Sequence, residues 1–174
     1  MIQLKNNKFQ DLSNYIPKGF KNSPRCLQTR YTPEDSEAMV ITLDHLAKEV
    51  YDTFSPTNII NPSFLPLPQD DELSNLGSRI VWTNKYAPGQ FTSFHTHEDP
   101  VFTKNANYFA IYIIGIGSKL ETVSFIDKTG LQKDIVVSLG DLLVGHCSEQ
   151  HGALPVNEYL VAMMFKINIP NGIH

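Results

Sequence analysis

The stretch Tyr86-Ala-Pro-Gly-Gln-Phe-Thr-Ser-Phe-His-Thr-His-Glu-Asp99 decides how the rest of the chain is read. Pro88-Gly89 is a turn signal, and the residues after it alternate toward His95 and His97, two positions apart. On a β-strand, residues i and i+2 point to the same face, so both imidazoles are expected to face one way. Glu98 and Asp99 follow directly. They are read as the rim of a site, the start of a solvated loop, and the two histidines as its chemistry.

Outward from this stretch, the pattern on both sides is of short strands. Apolar or alternating runs occupy 79–87, 90–97, 108–115, 120–127, 133–139, 141–147, 152–156 and 159–169. Between them lie turn residues, among them Pro88-Gly89, Lys128-Thr129-Gly130, Gly140 and Asn157-Glu158. Eight short strands with such breaks predict a mainly β domain, an antiparallel sandwich or barrel. Ahead of them, Thr32-Pro33-Glu34-Asp35 is a helix start, with Thr as N-cap and Pro at the first helical position. Met39, Leu43, Leu46, Ala47, Val50 and Phe54 then form one apolar stripe, which predicts an amphipathic helix over 33–54. Residues 55–78 hold Pro56, Pro62, Pro66 and Pro68, which excludes a regular element and predicts a long loop. The organisation expected is an extended basic arm over 1–31 and a single domain over 32–174, with the β core at 79–169.

The chain has 174 residues, 41% of them hydrophobic and 18% charged, which suits one globular domain with a full core. No apolar run reaches the ~18 residues of a membrane span. The first residues lack the apolar core of a signal peptide, and Cys26 and Cys147 have no metal-ligand spacing. Both features predict a reducing location, cytoplasmic or within a virion. The net charge of −4 is uneven: residues 1–30 sum to +5, with six basic residues against Asp11. Those basic residues are scattered, without the clustering of a nucleic-acid binder. Packing across an acidic surface, of the same domain or of a neighbouring subunit in a homo-oligomer or larger assembly, is the expected role.

A metal at His95 and His97 needs a third ligand from elsewhere. His146 and His151 are five apart, so a straight strand cannot turn both to one face, and at most one should reach the site. Imidazoles suit Fe(II), Zn(II), Ni(II) or Mn(II), and three of them leave open coordination positions.

The string Trp82-x-Asn84-x-Tyr86-x-x-Gly89, His95-x-His97, Tyr112, Gly140-Asp141 and His151-x-x-x-Pro155 resembles the double-stranded β-helix, or jelly roll, of the Fe(II)/2-oxoglutarate-dependent oxygenases. The branch most similar is the phage and bacterial one with His-x-His in place of His-x-Asp. The two halves also resemble the motifs of the cupins, which share the fold. The resemblance covers residues 79–169 and implies His95, His97 and His151 as metal ligands, with His146 in a turn beside them. It further implies Fe(II) and 2-oxoglutarate as cofactors, with Tyr112 and Lys166 as co-substrate-binding candidates. Two departures stand out. His97 occupies the usual carboxylate position, and Leu160 stands where an Arg normally pairs the distal carboxylate of 2-oxoglutarate. Lys166 is the cation left on that strand face, with Lys85 and Lys104 on other strands. The function expected is oxygenase-like hydroxylation of an unidentified substrate. The alternatives are a cupin-like metal-binding protein and a non-catalytic jelly roll in a virion or assembly.

Overall fold

The computed structural model describes residues 1–5, 21–22, 27–30, 81–98 and 107–167. The expected helix over 33–54, the loop over 55–78, Asp99 and Lys104 lie outside the described residues.

Alternation and turn chemistry produce the strands where the sequence places them. They are β4 (Val81–Tyr86), β5 (Thr92–His95), β6 (Tyr108–Ile116), β7 (Glu121–Ile126), β8 (Gln132–Val137), β9 (Leu142–His146), β10 (His151–Ala153) and β11 (Leu160–Ile167). Three further strands come from the N-terminal region: β1 (Ile2–Leu4), β2 (Lys21–Asn22) and β3 (Leu27–Arg30). All pair antiparallel, in a seven-stranded sheet ordered β1-β9-β6-β11-β4-β3-β2 and a four-stranded sheet ordered β5-β10-β7-β8. From β4 onward the chain crosses repeatedly between the sheets, which is the winding of a double-stranded β-helix. The fold is therefore mainly β, a jelly roll.

The sequence predicts an extended, irregular arm over 1–31. Three pieces of it are instead hydrogen-bonded into the large sheet, β1 on β9 with Ile2 opposite Val144, and β3 on β4 with Arg30 opposite Trp82 while β2 pairs with β3. These pieces, of three, two and four residues, are too short to carry a periodic signal. The open edges of β9 and β4 select them, since an edge offers a row of donors and acceptors to any extended chain.

Between the sheets, Phe109, Ile111 and Ile113 of β6 meet Leu160, Ala162 and Met164 of β11, with Tyr86, Val123, Val137, Leu143 and Val156. Each large side chain buried here contributes roughly 1.5–3 kcal/mol of transfer free energy. β6 is buried on both faces, with Tyr112 and Ile114 on the opposite side from Ile111 and Ile113. That explains its continuous apolar run, a pattern that β9 and the start of β11 share.

Two turns hold the strands around the histidines in place. Gly89, at φ +79°, closes the β4–β5 turn in a conformation that only glycine adopts without strain. Its N–H donates to the Val156 carbonyl at 2.8 Å, and the Val156 N–H returns a bond to the Gln90 carbonyl at 3.0 Å. The start of β5 is thereby tied to the segment after β10. At the β8–β9 turn the Asp141 carboxylate accepts from the Ser138 N–H, Gln3 Nε2 and Lys5 Nζ, at 2.9, 2.8 and 2.7 Å. Among the described residues no helix is long and apolar enough to cross a membrane.

Candidate metal centre

β5 and β10 bring the histidines together. His151 opens β10 and lies directly across from His95, the last residue of β5. His97 is two residues beyond the end of β5, and strand parity alone does not place it. Its N–H donates to the Cys147 carbonyl at 2.8 Å, which draws the end of β5 against the β9–β10 turn. The ring centroids lie 5.1 Å apart for His95 and His97, 4.6 Å for His95 and His151, and 4.9 Å for His97 and His151. One nitrogen from each ring can be chosen so that all three lie within 4.8 Å of one another.

Hydrogen bonding decides which nitrogens are offered. His95 Nδ1 lies 2.9 Å from the Ser93 carbonyl and His151 Nδ1 lies 3.1 Å from the Glu149 carbonyl. A carbonyl only accepts, so both Nδ1 atoms carry protons, and in each ring's neutral form Nε2 is the atom that keeps a lone pair. Second-side bonds of this kind fix ring orientation and tautomer in metal-binding histidines. His151 is 2% exposed, and its Nε2 has no hydrogen-bond partner among the described residues. Burial first, then the nearby His95 and His97, push the His151 pKa down to about 3. At neutral pH the ring is an uncharged base. Phe109 stacks on it at 4.0 Å, with planes inclined by 20°, and covers one face from water.

The set fits a divalent transition ion on these grounds: borderline nitrogen donors, one of them a buried lone pair with no partner among the described residues. With metal–nitrogen bonds of about 2.1 Å, three ligands on one ion stand roughly 3.0–3.4 Å apart, so nitrogens now within 4.8 Å of one another draw together when the ion binds.

A cavity of about 60 Å³ adjoins His95 and His151 between the sheets. Its apolar wall includes Ile111, Val123, Leu160, Ala162 and Met164, and its polar wall is Asn84, Tyr86 and Thr92. Asn84 Nδ2 donates to the Tyr86 hydroxyl at 3.0 Å, which lies 2.8 Å from Thr92 Oγ1. Among the described residues lining the cavity there is no Lys, Arg, Asp or Glu.

The other residues singled out in the sequence lie farther from the histidine group. His146 is exposed at the end of β9, bonded through Nδ1 to Ser148 Oγ at 2.7 Å, outside that group. Glu98 is exposed, as a rim residue is expected to be. Tyr112 is fully buried on the face of β6 opposite Phe109 and Ile111, so the structure does not bring it to the histidines. The reason is parity: Tyr112 is three residues from Phe109, and successive strand residues alternate faces. Lys85 is exposed on β4 between Asn84 and Tyr86, and so points away from the cavity. Lys166 takes the position on β11 directly opposite Phe109. Leu160 lines the cavity, where the resemblance calls for an Arg. Sequence reading places Asn84 and Tyr86 only in the resemblance string and assigns Thr92 nothing. The available signal was the i, i+2 spacing of Asn84 and Tyr86, which turns both inward.

No family model matches the chain, and no curated protein matches its sequence. Solved structures do. A 2OG-Fe(II) oxygenase family oxidoreductase from Burkholderia pseudomallei is 12% identical, with a TM-score of 0.65 over 93% of this chain and 76% of that one. A prolyl-4-hydroxylase from Pseudomonas putida is 13% identical, with a TM-score of 0.57 over 86% of this chain and 77% of that one. At such identities the likeness establishes a shared fold.

Proposed function

We propose that this chain is a mononuclear metal-dependent oxygenase of the Fe(II)/2-oxoglutarate type, with His95, His97 and His151 holding the metal. The observation that carries the reading is the convergence of three imidazoles around the buried, unpartnered Nε2 of His151. The fold shared with the Burkholderia and Pseudomonas structures supports it.

The metal, when bound, supplies a Lewis-acidic centre with open positions for a chelating co-substrate and dioxygen. The chain's own groups do the rest. Ser93 and Glu149 carbonyls hold the His95 and His151 rings in the Nδ1-protonated form, so that Nε2 is the atom each ring offers to the metal. Phe109 shields His151 and keeps water from competing along that side. The cavity beyond the histidines receives the co-substrate's tail. Lys166 is the sequence candidate for a cation pairing the tail's carboxylate; Tyr112 is left out, because its face of β6 is the wrong one.

Anaerobic addition of Fe(II) and 2-oxoglutarate to the purified protein is expected to give a visible charge-transfer band. Admitting air should then give succinate, and His151→Ala should abolish both. A colourless mixture with no succinate would sink the oxygenase reading.

A second reading, a metal-binding or assembly jelly roll without turnover, is favoured by one observation: the described cavity wall holds no cation. Retention of stoichiometric metal without any response to 2-oxoglutarate would support it.

A further inference from the structure

We infer that Gly145 is a positioning residue of the metal centre: having no side chain, it lets the Phe109 ring lean over β9 and turn a face to His151. Its effect on metal binding rests on the metal reading above; its effect on the two rings does not.

Register brings the pair together. Gly145 lies directly opposite Phe109 in the β6–β9 ladder, and residues so placed share one face of a sheet. Both are buried. A Cβ built on Gly145 would stand 2.6 Å from Phe109 Cζ and 2.8 Å from Cε1. The tip of the ring therefore fills the space in which any other residue at 145 would place its side chain. Backbone conformation is not what calls for glycine here, since among the described residues positive φ belongs to Gly89, Gly130 and Gly140. Room for the ring is.

That lean decides what the ring meets across the sandwich. Its face stacks on His151, with 4.0 Å between centroids and 20° between planes, and it meets His97 at 5.2 Å and 62°. Phe109 thus touches two of the three imidazoles, one on β10 and one past the end of β5. A side chain at 145 would drive the ring from 2.6 Å to the 3.4 Å at which ordinary contact begins. Phe109 is fully buried, and a close-packed interior passes such a shift to its neighbours. His151, stacked on the ring's face, is one of them. The same Cβ would lie 2.9 Å from Glu149 Oε2, and the Glu149 carbonyl accepts from His151 Nδ1 at 3.1 Å. The carboxylate ends a flexible side chain and gives way cheaply, whereas the enclosed ring does not. Groups that orient ligand rings from behind are worth about 10–100-fold in metal affinity.

Proton NMR and cobalt(II) absorption test this without relying on turnover. In the metal-free protein the His151 ring protons, identified by their loss in His151→Gln, should resonate upfield because they lie over the Phe109 face. Gly145→Ala should return them toward ordinary positions. It should also weaken cobalt binding by about tenfold and shift the cobalt bands. In Phe109→Leu, which lacks the ring, adding Gly145→Ala should change cobalt affinity by less than about twofold, because the group it acts through is gone. Equal losses from Gly145→Ala in the two backgrounds would overturn the inference, as would His151 signals and cobalt bands that Gly145→Ala leaves unaltered. Should Gly145→Ala not fold, Phe109→Leu decides: cobalt binding about tenfold weaker supports the inference, and wild-type binding overturns it. A wild-type protein that takes up no cobalt would overturn the metal reading, while the NMR comparison would still decide whether Gly145 sets the ring on His151.

Discussion

Replacing Gly152 by Ala tests the placement of the centre most directly. Gly152 lies between His151 and Ala153 on β10, where pairing with β5 shifts register. A Cβ at Gly152 would lie 2.6 Å from the Thr92 carbonyl oxygen and 3.2 Å from the Phe94 nitrogen. Ordinary contact begins at 3.4 Å, and the obstructing atoms are backbone, so β5 has to withdraw by about 0.8 Å. Overpacking of this kind costs typically 1–3 kcal/mol, and about 2 kcal/mol is expected here. With an m-value of about 2 kcal/mol per molar urea, the midpoint of the metal-free protein should fall by about 1 M. The same displacement acts on His95, which pairs with His151 across this contact. Metal sites tolerate about 0.2 Å of error in ligand distance, so cobalt or zinc affinity should fall at least tenfold. Gly130→Ala is the control. Gly130 sits at positive φ, +81°, unlike Gly152, and an added Cβ there meets nothing within 4 Å. It should cost about 1 kcal/mol of backbone strain and leave metal affinity unchanged. A Gly152→Ala protein with wild-type midpoint and wild-type metal affinity would refute the claim that close β5–β10 contact sets the histidine spacing.

Acid should destabilise the metal-free protein through His151. Its folded pKa of about 3 lies below the ordinary value of 6.5, so between those values the unfolded chain binds a proton that the folded one does not. Stability therefore falls as pH drops from 6.5 toward 3, by up to about 1.4 kcal/mol per unit. Unfolding free energies from urea titrations at pH 7 and pH 5 should differ by about 2 kcal/mol, with a smaller difference in His151→Phe; equal pH dependence in the two proteins would contradict this. At the opposite end of the sandwich, the Glu121 carboxylate, 1% exposed, accepts from the Asn157 N–H at 2.9 Å and the Glu158 N–H at 2.8 Å. Glu121→Ala strands both donors and should cost about 3 kcal/mol in urea unfolding, without altering cobalt affinity. A loss under about 1 kcal/mol would mean water replaces the carboxylate there.

The jelly roll was legible because its signals are local. Runs of three to nine residues, alternating or continuously apolar, and the turn residues at Gly89, Gly130 and Gly140 mark the eight strands from Val81 to Ile167. The pieces of the N-terminal region that join the large sheet were not legible. β1 and β3 owe their conformation to the edges of β9 and β4, and nothing within Ile2–Leu4 or Leu27–Arg30 announces that. The histidines divide in the same way. His95 follows from strand parity, but His97 stands past the end of β5 and is placed by the carbonyl of Cys147, from another turn. Tyr112 matches the motif in order, while parity sets its side chain on the face of β6 opposite Phe109 and Ile111.

By itself, then, the sequence determined the strand pattern and named the three imidazoles, since side-chain period and turn geometry depend on neighbours in the chain. Tertiary structure alone decided that β5 lies against β10, that Phe109 covers His151, and that Asn84, Tyr86 and Thr92 close a neutral cavity beside them. Those contacts join residues far apart in the chain, and their energies come from pairing and burial that no local pattern encodes.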